Sequence, residues 1–412
     1  MGASPESNSS RRPRILFVDT SARRGGAETS LDELVAALVP RGTFDIALAT
    51  ARADAVPACP VFHIPPVRLH RPSRIFAFIR SAVSLIRARQ ALSRVMRDFR
   101  PDIVHANGIA AVFALPRTSA SILWHVRDWP RRPYAAIASR RCDIIIAISR
   151  PVEEALRHTL PASLQSRIRL VENGIVLGNG ERGTGNGEWG TNCQTVKPSN
   201  RQTHHSNGCA VGMVAHLVPW KRHDLFVEAA ILLRDFRDAA GRPITWTIAG
   251  SDLFGEHADY VAALRRRIGE AGLTDRFVWL EGRSAADILP GLDLLVHPTA
   301  EEPFGRVICE AMAAGVPVVA CDAAGPGSIL EDGKTGFLFP KQVESGERTV
   351  ESRHDAKAAA TIAARIRHAL THPEECASVA VAAKKIVRDR HGIERVADKI
   401  SAIYDGAPAS TC

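Results

Sequence analysis

One uninterrupted run in the second half of the chain reads EPFGRVICE (residues 302–310) and continues as AMAAGVPVVA (residues 311–320). A proline near its start and a glycine after its apolar part predict a short helix between a loop and a strand, with Pro303 at the first helical position. The residue before a proline is biased towards an extended backbone. We therefore expect Glu302 to lie just outside the helix.

Glu302 and Glu310 bracket this predicted turn, and the amides of residues 305–308 would be its unpaired first-turn donors. A helix N-terminus of this kind favours an anion. Two carboxylates around an anion-binding turn suit a ligand with a phosphate in the middle and hydroxyls at both ends, as in a nucleotide sugar. Acids near a helix N-terminus also occur without a ligand, because they complement the helix dipole. The ligand hypothesis fails if both carboxylates are turned away from the crevice between the lobes or are buried in ion pairs of their own.

Length and composition indicate a two-domain globular protein. The chain has 412 residues, of which 45% are hydrophobic and 24% charged, enough for two ordinary cores. It has no run of about 18 apolar residues and no signal-peptide pattern. The eight cysteines are scattered singly without metal-ligand spacing, which favours reduced thiols in the cytoplasm and predicts no metal site.

The net positive charge of the chain comes from its first half. Residues 1–172 contain 26 arginines, no lysine and 14 acids, a net charge of +12, whereas the remainder carries −3. A basic lobe suits an anionic partner such as a membrane surface or a lipid-linked phosphate. Arginine bias can equally reflect genome composition. Residues 74–97 read as a basic amphipathic helix, which either lies on an anionic bilayer or covers the sheet with a solvated face.

Apolar runs alternate with helical patterns, which is typical of α/β domains with parallel sheets. Strands are predicted at residues 15–18, 44–49, 103–105, 121–125, 144–148, 168–171, 209–214, 245–249, 277–280, 294–297 and 316–320. Helices are predicted at residues 27–39, 74–98, 151–158, 223–236, 261–271, 304–314, 356–369 and 392–404. Residues 178–208 are rich in Gly, Asn, Thr and Ser, and we interpret them as a linker or insertion.

The segment that begins at Glu302 closely resembles the Glu-x7-Glu signature of retaining family 4 glycosyltransferases, and the match continues through Gly-Val-Pro-Val-Val-Ala. The resemblance implies the GT-B fold, with two Rossmann-like doubly wound domains facing across a cleft. Under it, residues 1–177 form the basic acceptor-binding domain and residues 209–391 the nucleotide-sugar-binding domain. Residues 392–412 supply a helix that crosses back to the first domain, plus a tail.

The resemblance also implies roles for particular residues. His125, which follows a strand, corresponds to a histidine that contacts the transferred sugar, and Asp128 or Asn107 would orient it or contact the acceptor. Lys221 would bind the donor diphosphate and Glu302 a sugar hydroxyl. His125, Glu302 and Lys221 form the predicted catalytic set. The predicted donor site comprises Gly25, Gly26, His216, Lys221, Glu302, Phe304, Gly305, Arg306, Val307, Ile308 and Glu310.

Two positions depart from the family pattern. His216 stands where the family has an arginine that binds the diphosphate, and Arg222 is a candidate to compensate for it. Ser328 replaces a glutamate in the turn at residues 324–329. A neutral histidine offers one donor instead of a bidentate cation. These departures keep two alternatives open: a nucleotide-sugar enzyme of another type, such as an epimerase, and a non-catalytic protein that binds sugar nucleotides or nucleic acid.

The function that follows is transfer of a sugar from a nucleotide-diphosphate sugar to a glycan or lipid-linked acceptor in cell-surface polysaccharide or glycolipid synthesis. No Asp-x-Asp occurs in the sequence, so we expect protein donors rather than a metal ion to stabilise the leaving diphosphate. No cofactor is expected, and nucleic acid is not expected as a partner. We expect a cytoplasmic protein that can associate peripherally with the inner face of the membrane.

Overall fold

The computed structural model describes residues 11–55, 58–67, 75–177, 208–252, 255–341 and 353–407. The chain forms two compact units. The first runs up to Gly174 and resumes at Ile393, and the second spans Ile175–Gly392. Ile175 belongs to the second unit because it forms a parallel bridge with Gly392. The expected linker lies outside the described residues, apart from residue 208.

A seven-stranded parallel sheet forms the centre of the first unit. Its strands are β1 (Arg14–Asp19), β2 (Asp45–Thr50), β3 (Val61–His63), β4 (Ile103–Asn107), β5 (Ser121–Val126), β6 (Ile144–Ala147) and β7 (Ile168–Leu170). The strand order is β3-β2-β1-β4-β5-β6-β7, the Rossmann order with one added strand. The central strands are apolar and buried along their length, as strands covered by helices on both faces require.

Within the described residues up to Gly174, five α-helices accompany this sheet. They are α1 (Gly26–Leu38), α2 (Ile75–Phe99), α3 (Ile109–Ala114), α4 (Tyr134–Ser139) and α5 (Arg150–Thr159). The sequence predicted α1, α2 and α5 but missed α3, α4 and strand β3. The missed elements are three to six residues long, too short for a periodic pattern to develop.

The exposed face of α2 differs from the predicted one. Ala88, Leu92, Val95 and Phe99 are buried, whereas Val83 and Ile86, expected on the apolar stripe, are 41% and 57% exposed. Spacings of three, four and seven residues place the buried positions along one side of the helix. Val83 and Ile86 are therefore on the solvent side, among the arginines.

The second unit repeats the same strand order. Its strands are β8 (Cys209–Val214), β9 (Ile244–Ala249), β10 (Phe277–Leu280), β11 (Leu294–His297), β12 (Val318–Asp322) and β13 (Phe337–Pro340). They pair in parallel in the order β10-β9-β8-β11-β12-β13. The strand order reverses between β8 and β11, which is where open α/β sheets bind ligands at their carboxyl edge. The prediction of two Rossmann-like domains is confirmed by this topology.

The described part of the second unit contains seven α-helices: α6 (His223–Leu232), α7 (Ala258–Glu270), α8 (Ala285–Ile288), α9 (Arg306–Ala314), α10 (Ala324–Ile329), α11 (Arg353–Thr371) and α12 (Pro373–His391). The sequence missed α8, α10, α12 and strand β13. Helix α6 ends four residues before the predicted end, and α12 contacts α9.

The last helix, α13 (Ile393–Asp405), packs into the core of the first unit. Ile393, Val396, Ile400 and Tyr404 are buried there among residues of α1 and the first sheet. Arg41 pairs with Glu394 and Asp398 on the surface of the same helix. The helix expected to return to the first domain does so, driven by an apolar stripe at helical spacing.

Among the described residues, no helix is both long enough and apolar enough to cross a bilayer. The six cysteines that lie in the described part of the chain are all free thiols.

Candidate active site

The loop that follows β11 reaches helix α9 through a glycine in a left-handed conformation. Gly305 is the N-cap of α9 with φ +100°, and α9 begins at Arg306. A Cβ on Gly305 would lie 3.1 Å from Cδ1 of Ile308, so a side chain here would be both strained and crowded. The prediction that Pro303 occupies the first helical position is wrong. Pro303 lies in the loop, because the helix is started by the glycine two residues later.

The first turn of α9 offers fewer free donors than the sequence suggested. The Ile308 amide donates to the Gly305 carbonyl at 3.0 Å. The side chains of Phe304 and Ile308 are 2% and 0% exposed, and the Phe304 ring meets His391 edge-on with centroids 5.6 Å apart. Neither side chain can touch a ligand. Of the predicted donors Phe304, Gly305, Arg306, Val307 and Ile308, the last is already paired within the helix.

A second glycine, Gly325, packs directly against the backbone of this loop. The Gly325 amide donates to the Glu302 carbonyl at 2.9 Å, and a Cβ on Gly325 would lie 2.2 Å from the Phe304 carbonyl oxygen. Only glycine allows this approach. The turn at residues 324–329 therefore holds the Glu302 loop in place, a role that sequence reasoning missed. Ser328 donates to the Gly325 carbonyl at 2.7 Å.

Lys221 and Glu302 form an ion pair at the carboxyl edge of the second sheet. His297, the last residue of β11, places Nε2 3.4 Å from Oε2 of the same carboxylate. The Lys221 and Glu302 side chains are 12% and 13% exposed. Burial opposes ionisation of Glu302, but the charge of Lys221 and the contact with His297 outweigh it and lower the pKa of Glu302 to about 2. The predicted residues Lys221 and Glu302 are thus brought together, and His297 is a neighbour that the sequence did not single out.

The expected compensation of His216 by Arg222 is wrong. The Arg222 guanidinium contacts Asp224 at 2.9 Å and Asp355 at 2.5 Å. Its fork is shared by two carboxylates, which raise the pKa of Arg222 against the effect of burial. His216 lies in the loop after β8, where its carbonyl accepts from the Val218 amide at 2.8 Å. Of His216, Lys221 and Arg222, Lys221 is therefore the cation that can bind a phosphate at this edge of the sheet.

Glu310 also has an ion pair. Arg306, one turn earlier on α9, approaches it to 2.9 Å, with side chains 9% and 23% exposed. Both acids of the signature are therefore paired, but their side chains are 13% and 23% exposed, so neither is fully buried in its pair. The two pairs differ, however. Glu302 pairs with Lys221, itself a predicted ligand residue, whereas the pair of Glu310 is local to one helix face.

In the first unit, Gly25 is the N-cap of α1 and its amide donates to the Glu28 carboxylate at 2.9 Å. Gly26 is exposed at the first helical position. The glycine loop follows the carboxyl end of β1 and begins α1. The Gly25 amide already has an acceptor within its own turn, so a ligand would have to displace Glu28 to use it.

Asn107 and Asp128 do not hold His125. The side-chain Oδ1 of Asn107 accepts from Arg127 Nε at 2.6 Å, and the same guanidinium donates to Asn173 Oδ1 and Ser30 Oγ at 2.8 and 3.1 Å. Asn107 therefore stabilises a buried arginine. Asp128 is exposed. Another side chain contacts the His125 ring, and an acceptor contact of Asn107 or Asp128 stays a prediction.

That side chain is His105, on the neighbouring strand β4. Its Nε2 lies 2.9 Å from Nδ1 of His125, and its Nδ1 lies 2.5 Å from the Tyr404 hydroxyl. His105 and His125 are 0% and 2% exposed. Burial, together with the charge of Arg127, lowers the pKa of both histidines. A histidine in the apolar run of β4 was the one sequence signal for this arrangement.

One group of metal-type ligands occurs among the described residues, at the junction of α11 and α12: His368, His372 and Glu375. His368 Nε2 is 2.9 Å from Glu375 Oε2, and the two imidazole rings stack with centroids 4.3 Å apart. His372 Nδ1 lies 2.8 Å from the His368 carbonyl oxygen, so both histidines already have hydrogen-bond partners at this helix junction.

Two family descriptions match the chain in succession. "Glycosyltransferase Family 4" matches residues 24–178 and "Glycosyl transferases group 1" matches residues 199–386. The chain belongs to the GT-B glycosyltransferases. The first match lies in the unit with His125 and the second in the unit with the Lys221–Glu302 pair.

Curated relatives and solved structures resemble this glycosyltransferase in different ways. It is 36% identical over 32% of its length to the lipopolysaccharide core biosynthesis mannosyltransferase LpsB of Rhizobium meliloti, and this match spans 36% of that relative. It is 28% identical to a GDP-mannose-dependent alpha-mannosyltransferase of Mycolicibacterium smegmatis, over 66% of its own length and 70% of the relative's. The first three curated relatives are each matched over about a third of their own length, 29–36%.

Solved structures support the fold over nearly the whole chain. Anabaena HepE in complex with UDP-glucose aligns with a TM-score of 0.69 and 22% identity, covering 95% of this chain and 99% of that one. Sucrose-phosphate synthase from Thermosynechococcus elongatus aligns with a TM-score of 0.72 and 16% identity, covering 96% and 99%. At these identities the similarity establishes the fold alone.

Proposed function

We propose that this protein is a retaining, metal-independent glycosyltransferase that moves a sugar from a nucleoside-diphosphate sugar to a hydroxyl of a glycan or lipid-linked acceptor. The observation that carries the proposal is the half-buried Lys221–Glu302 pair beside His297, at the strand-order reversal of a Rossmann sheet. It joins a cation suited to a phosphate with an acceptor suited to hydroxyl groups. The named relatives, two of them mannosyltransferases, support cell-surface polysaccharide or glycolipid synthesis as its setting.

In the proposed reaction the acceptor hydroxyl attacks the anomeric carbon from the face that the diphosphate leaves. The bond from carbon to acceptor oxygen forms, the bond from carbon to phosphate oxygen breaks, and the bonding electrons depart with the nucleoside diphosphate. A phosphate oxygen takes the acceptor proton. Lys221 and backbone amides at the start of α9 stabilise the leaving charge as fixed electrostatics. No Asp-x-Asp motif is present in the sequence to hold a divalent cation.

Glu302 and Glu310 are proposed to accept hydrogen bonds from the sugar and the ribose. Glu302 remains ionised at any working pH, since its pKa is about 2. A bound diphosphate would share Lys221 with Glu302. The Glu302 carboxylate would then be able to accept a hydrogen bond from a hydroxyl group of the sugar. Glu310 must release Arg306, at least in part, to reach the ribose. His125 is proposed to contact the transferred sugar.

The test begins with a thermal-shift screen of UDP, GDP and ADP sugars, with GDP-mannose and UDP-glucose first. A true donor raises Tm by mass action, and Glu302→Gln should reduce that rise. Incubation with the stabilising donor and lipid or glycan acceptors, followed by NMR of the product, reports the anomeric configuration. Isomerisation of the donor without acceptor would instead indicate an epimerase. If no sugar nucleotide raises Tm and the protein binds oligonucleotides in a salt-dependent way, the non-catalytic alternative is indicated.

We further propose that the protein is cytoplasmic and binds an anionic membrane peripherally through α2. The exposed Val83 and Ile86 lie among the exposed arginines of that helix: Arg80, Arg87, Arg89, Arg94 and Arg97. Apolar side chains beside arginines suit the headgroup region of an anionic bilayer. Sedimentation with phosphatidylglycerol-containing vesicles tests this. Ile86→Asp should abolish binding, whereas Val381→Asp, at a site 62% exposed in the second unit, should not. Equal binding to neutral vesicles would contradict it.

A further inference from the structure

Three polar rings form a hydrogen-bonded row inside the first unit. Tyr404 on α13 contacts Nδ1 of His105, and Nε2 of His105 contacts Nδ1 of His125. All three side chains are buried, with Tyr404 4% exposed. The His105 ring is also held by Phe17, whose ring centroid is 4.7 Å away. The row ends at Nε2 of His125, which is buried and has no hydrogen-bond partner within the described chain.

The row carries no net charge. Burial lowers the pKa of both histidines, and the charge of Arg127 acts in the same direction. Burial raises the pKa of Tyr404 well above its usual value, so the phenol keeps its proton. A neutral imidazole has one N–H donor and one bare nitrogen acceptor. The protons in the row must therefore all point one way, either from Tyr404 towards His125 or the reverse.

The surroundings of Tyr404 decide the direction. Its hydroxyl contacts His105 and no other group among the described residues. If His105 donated to Tyr404, the phenolic proton would be left in the core without an acceptor, and a buried unsatisfied donor is strongly unfavourable. Tyr404 therefore donates to Nδ1 of His105. His105 then carries its proton on Nε2 and donates it to Nδ1 of His125.

We propose that Tyr404 and His105 are positioning residues that fix His125 as the tautomer protonated on Nε2. His125 then presents an N–H donor, and its only bare nitrogen is occupied by His105, so it cannot serve as a general base. This inference rests on the proposed function in one respect: the acceptor of that N–H would be an oxygen of the transferred sugar. A neutral donor also avoids a positive charge beside an anomeric carbon that becomes electron-poor in the transition state.

The direct test is a long-range ¹H–¹⁵N spectrum of the unliganded protein labelled at histidine. Protonated and bare ring nitrogens give distinct signals, and His105→Gln and His125→Gln assign them. The expected result is a proton on Nε2 and none on Nδ1 for both histidines. A proton on Nδ1 of His125 would overturn the proposal. The measurement needs no substrate. If the tautomers are as expected but no donor is used, the proposed function fails while this assignment stands.

Variants separate positioning from packing. Tyr404→Phe removes the first donor, so His125 should show mixed tautomers and kcat should fall about tenfold, the effect of one hydrogen bond, with an unchanged donor Kd. His105→Leu should do the same, while His105→Gln, whose amide can donate at the place of Nε2, should restore the tautomer and most of kcat. Phe44→Leu alters the ring that meets Tyr404 edge-on at 5.3 Å and should leave the tautomer unchanged. Unaltered spectra in Tyr404→Phe and His105→Leu would refute the role of the row.

Discussion

His125 and His297 occupy similar places in the two units, yet their surroundings are opposite. Each is a buried histidine at or next to the carboxyl end of a parallel strand. The ring of His125 contacts another neutral imidazole, whereas the ring of His297 contacts the carboxylate of Glu302, which Lys221 neutralises. The same fold thus supports an uncharged hydrogen-bonded row in one unit and an ion pair in the other.

This difference indicates a division of labour. A diphosphate needs a cation and fixed donors, and those belong to the second unit. A sugar is uncharged and needs oriented hydrogen bonds, which a neutral histidine supplies without attracting an anion. Nucleotide affinity should therefore depend on the charged cluster and turnover on the neutral row. Substitutions in the charged cluster and in the neutral row test this division.

Lys221→Met should have the largest effect. It removes the cation proposed to stabilise the leaving diphosphate, and kcat/KM should fall about 10²- to 10³-fold. Burial would then dominate Glu302 and raise its pKa, so the remaining activity should decline at acid pH, unlike that of the native protein. Activity with the donor found by thermal shift, measured from pH 5 to 8, checks both effects. Lys334→Met is the matched control, because Lys334 and Glu331 form an exposed pair with 69% and 64% exposed side chains. Equal activities for the two variants would reject the role of Lys221.

His125→Ala should come next, with kcat lowered about 10- to 100-fold by loss of a donor to the sugar. The affinity for the nucleoside diphosphate should stay within about threefold of the native value, since no charge is removed. Steady-state kinetics and calorimetry measure the two quantities. His158→Ala, an exposed histidine of the same unit, controls for general damage. A loss of nucleotide affinity equal to the loss of kcat would erase the division between the units.

The charged cluster should also set an acid sensitivity through His223, which begins α6 two residues after Lys221. Burial, aided by the charge of Lys221, lowers the pKa of His223 to about 3. The unfolded chain binds a proton below about pH 6.5 and the folded one does not, so stability is full above that pH and falls on acidification. At pH 5 the loss is about 2 kcal/mol by linkage. In urea titrations between pH 7 and pH 5, the free energy of unfolding of the His223→Leu variant should fall by about that much less than that of the native protein. Parallel pH profiles for the two proteins would show that His223 is not held neutral.

The sequence predicted the fold well because buried parallel strands are long apolar runs with clear boundaries. Strand β8, for example, is mostly buried and has the predicted bounds. The start of α9 could not be placed, because both Pro303 and Gly305 are signals for a helix start and the left-handed backbone of Gly305 prevails. Elements shorter than about two turns, such as α3, leave no periodic trace.

The candidate site was predictable only in part. Motif resemblance identified Lys221 and Glu302, which do lie together. His105 and Tyr404 were not identified, because a contact between residues 299 positions apart depends on the return of the last helix to the first unit. The contact of Arg222 with Asp355 could likewise not be predicted, since Asp355 lies far along the chain.

The smallest expected effect concerns Glu310, whose pair with Arg306 allows two interpretations. If Glu310 accepts from the ribose, Glu310→Ala should weaken nucleoside-diphosphate binding about tenfold, roughly one hydrogen bond to a charged group. Arg306→Ala, which frees the carboxylate, should then preserve or improve binding. A 2′-deoxynucleoside diphosphate tests the contact directly. It should bind the native protein more weakly than the ribonucleotide does, whereas the two ligands should bind Glu310→Ala with equal affinity. Calorimetry with both ligands measures the coupling. If Arg306→Ala and Glu310→Ala weaken binding alike and the 2′-hydroxyl makes no difference, the pair only stabilises α9, and the ribose is held elsewhere.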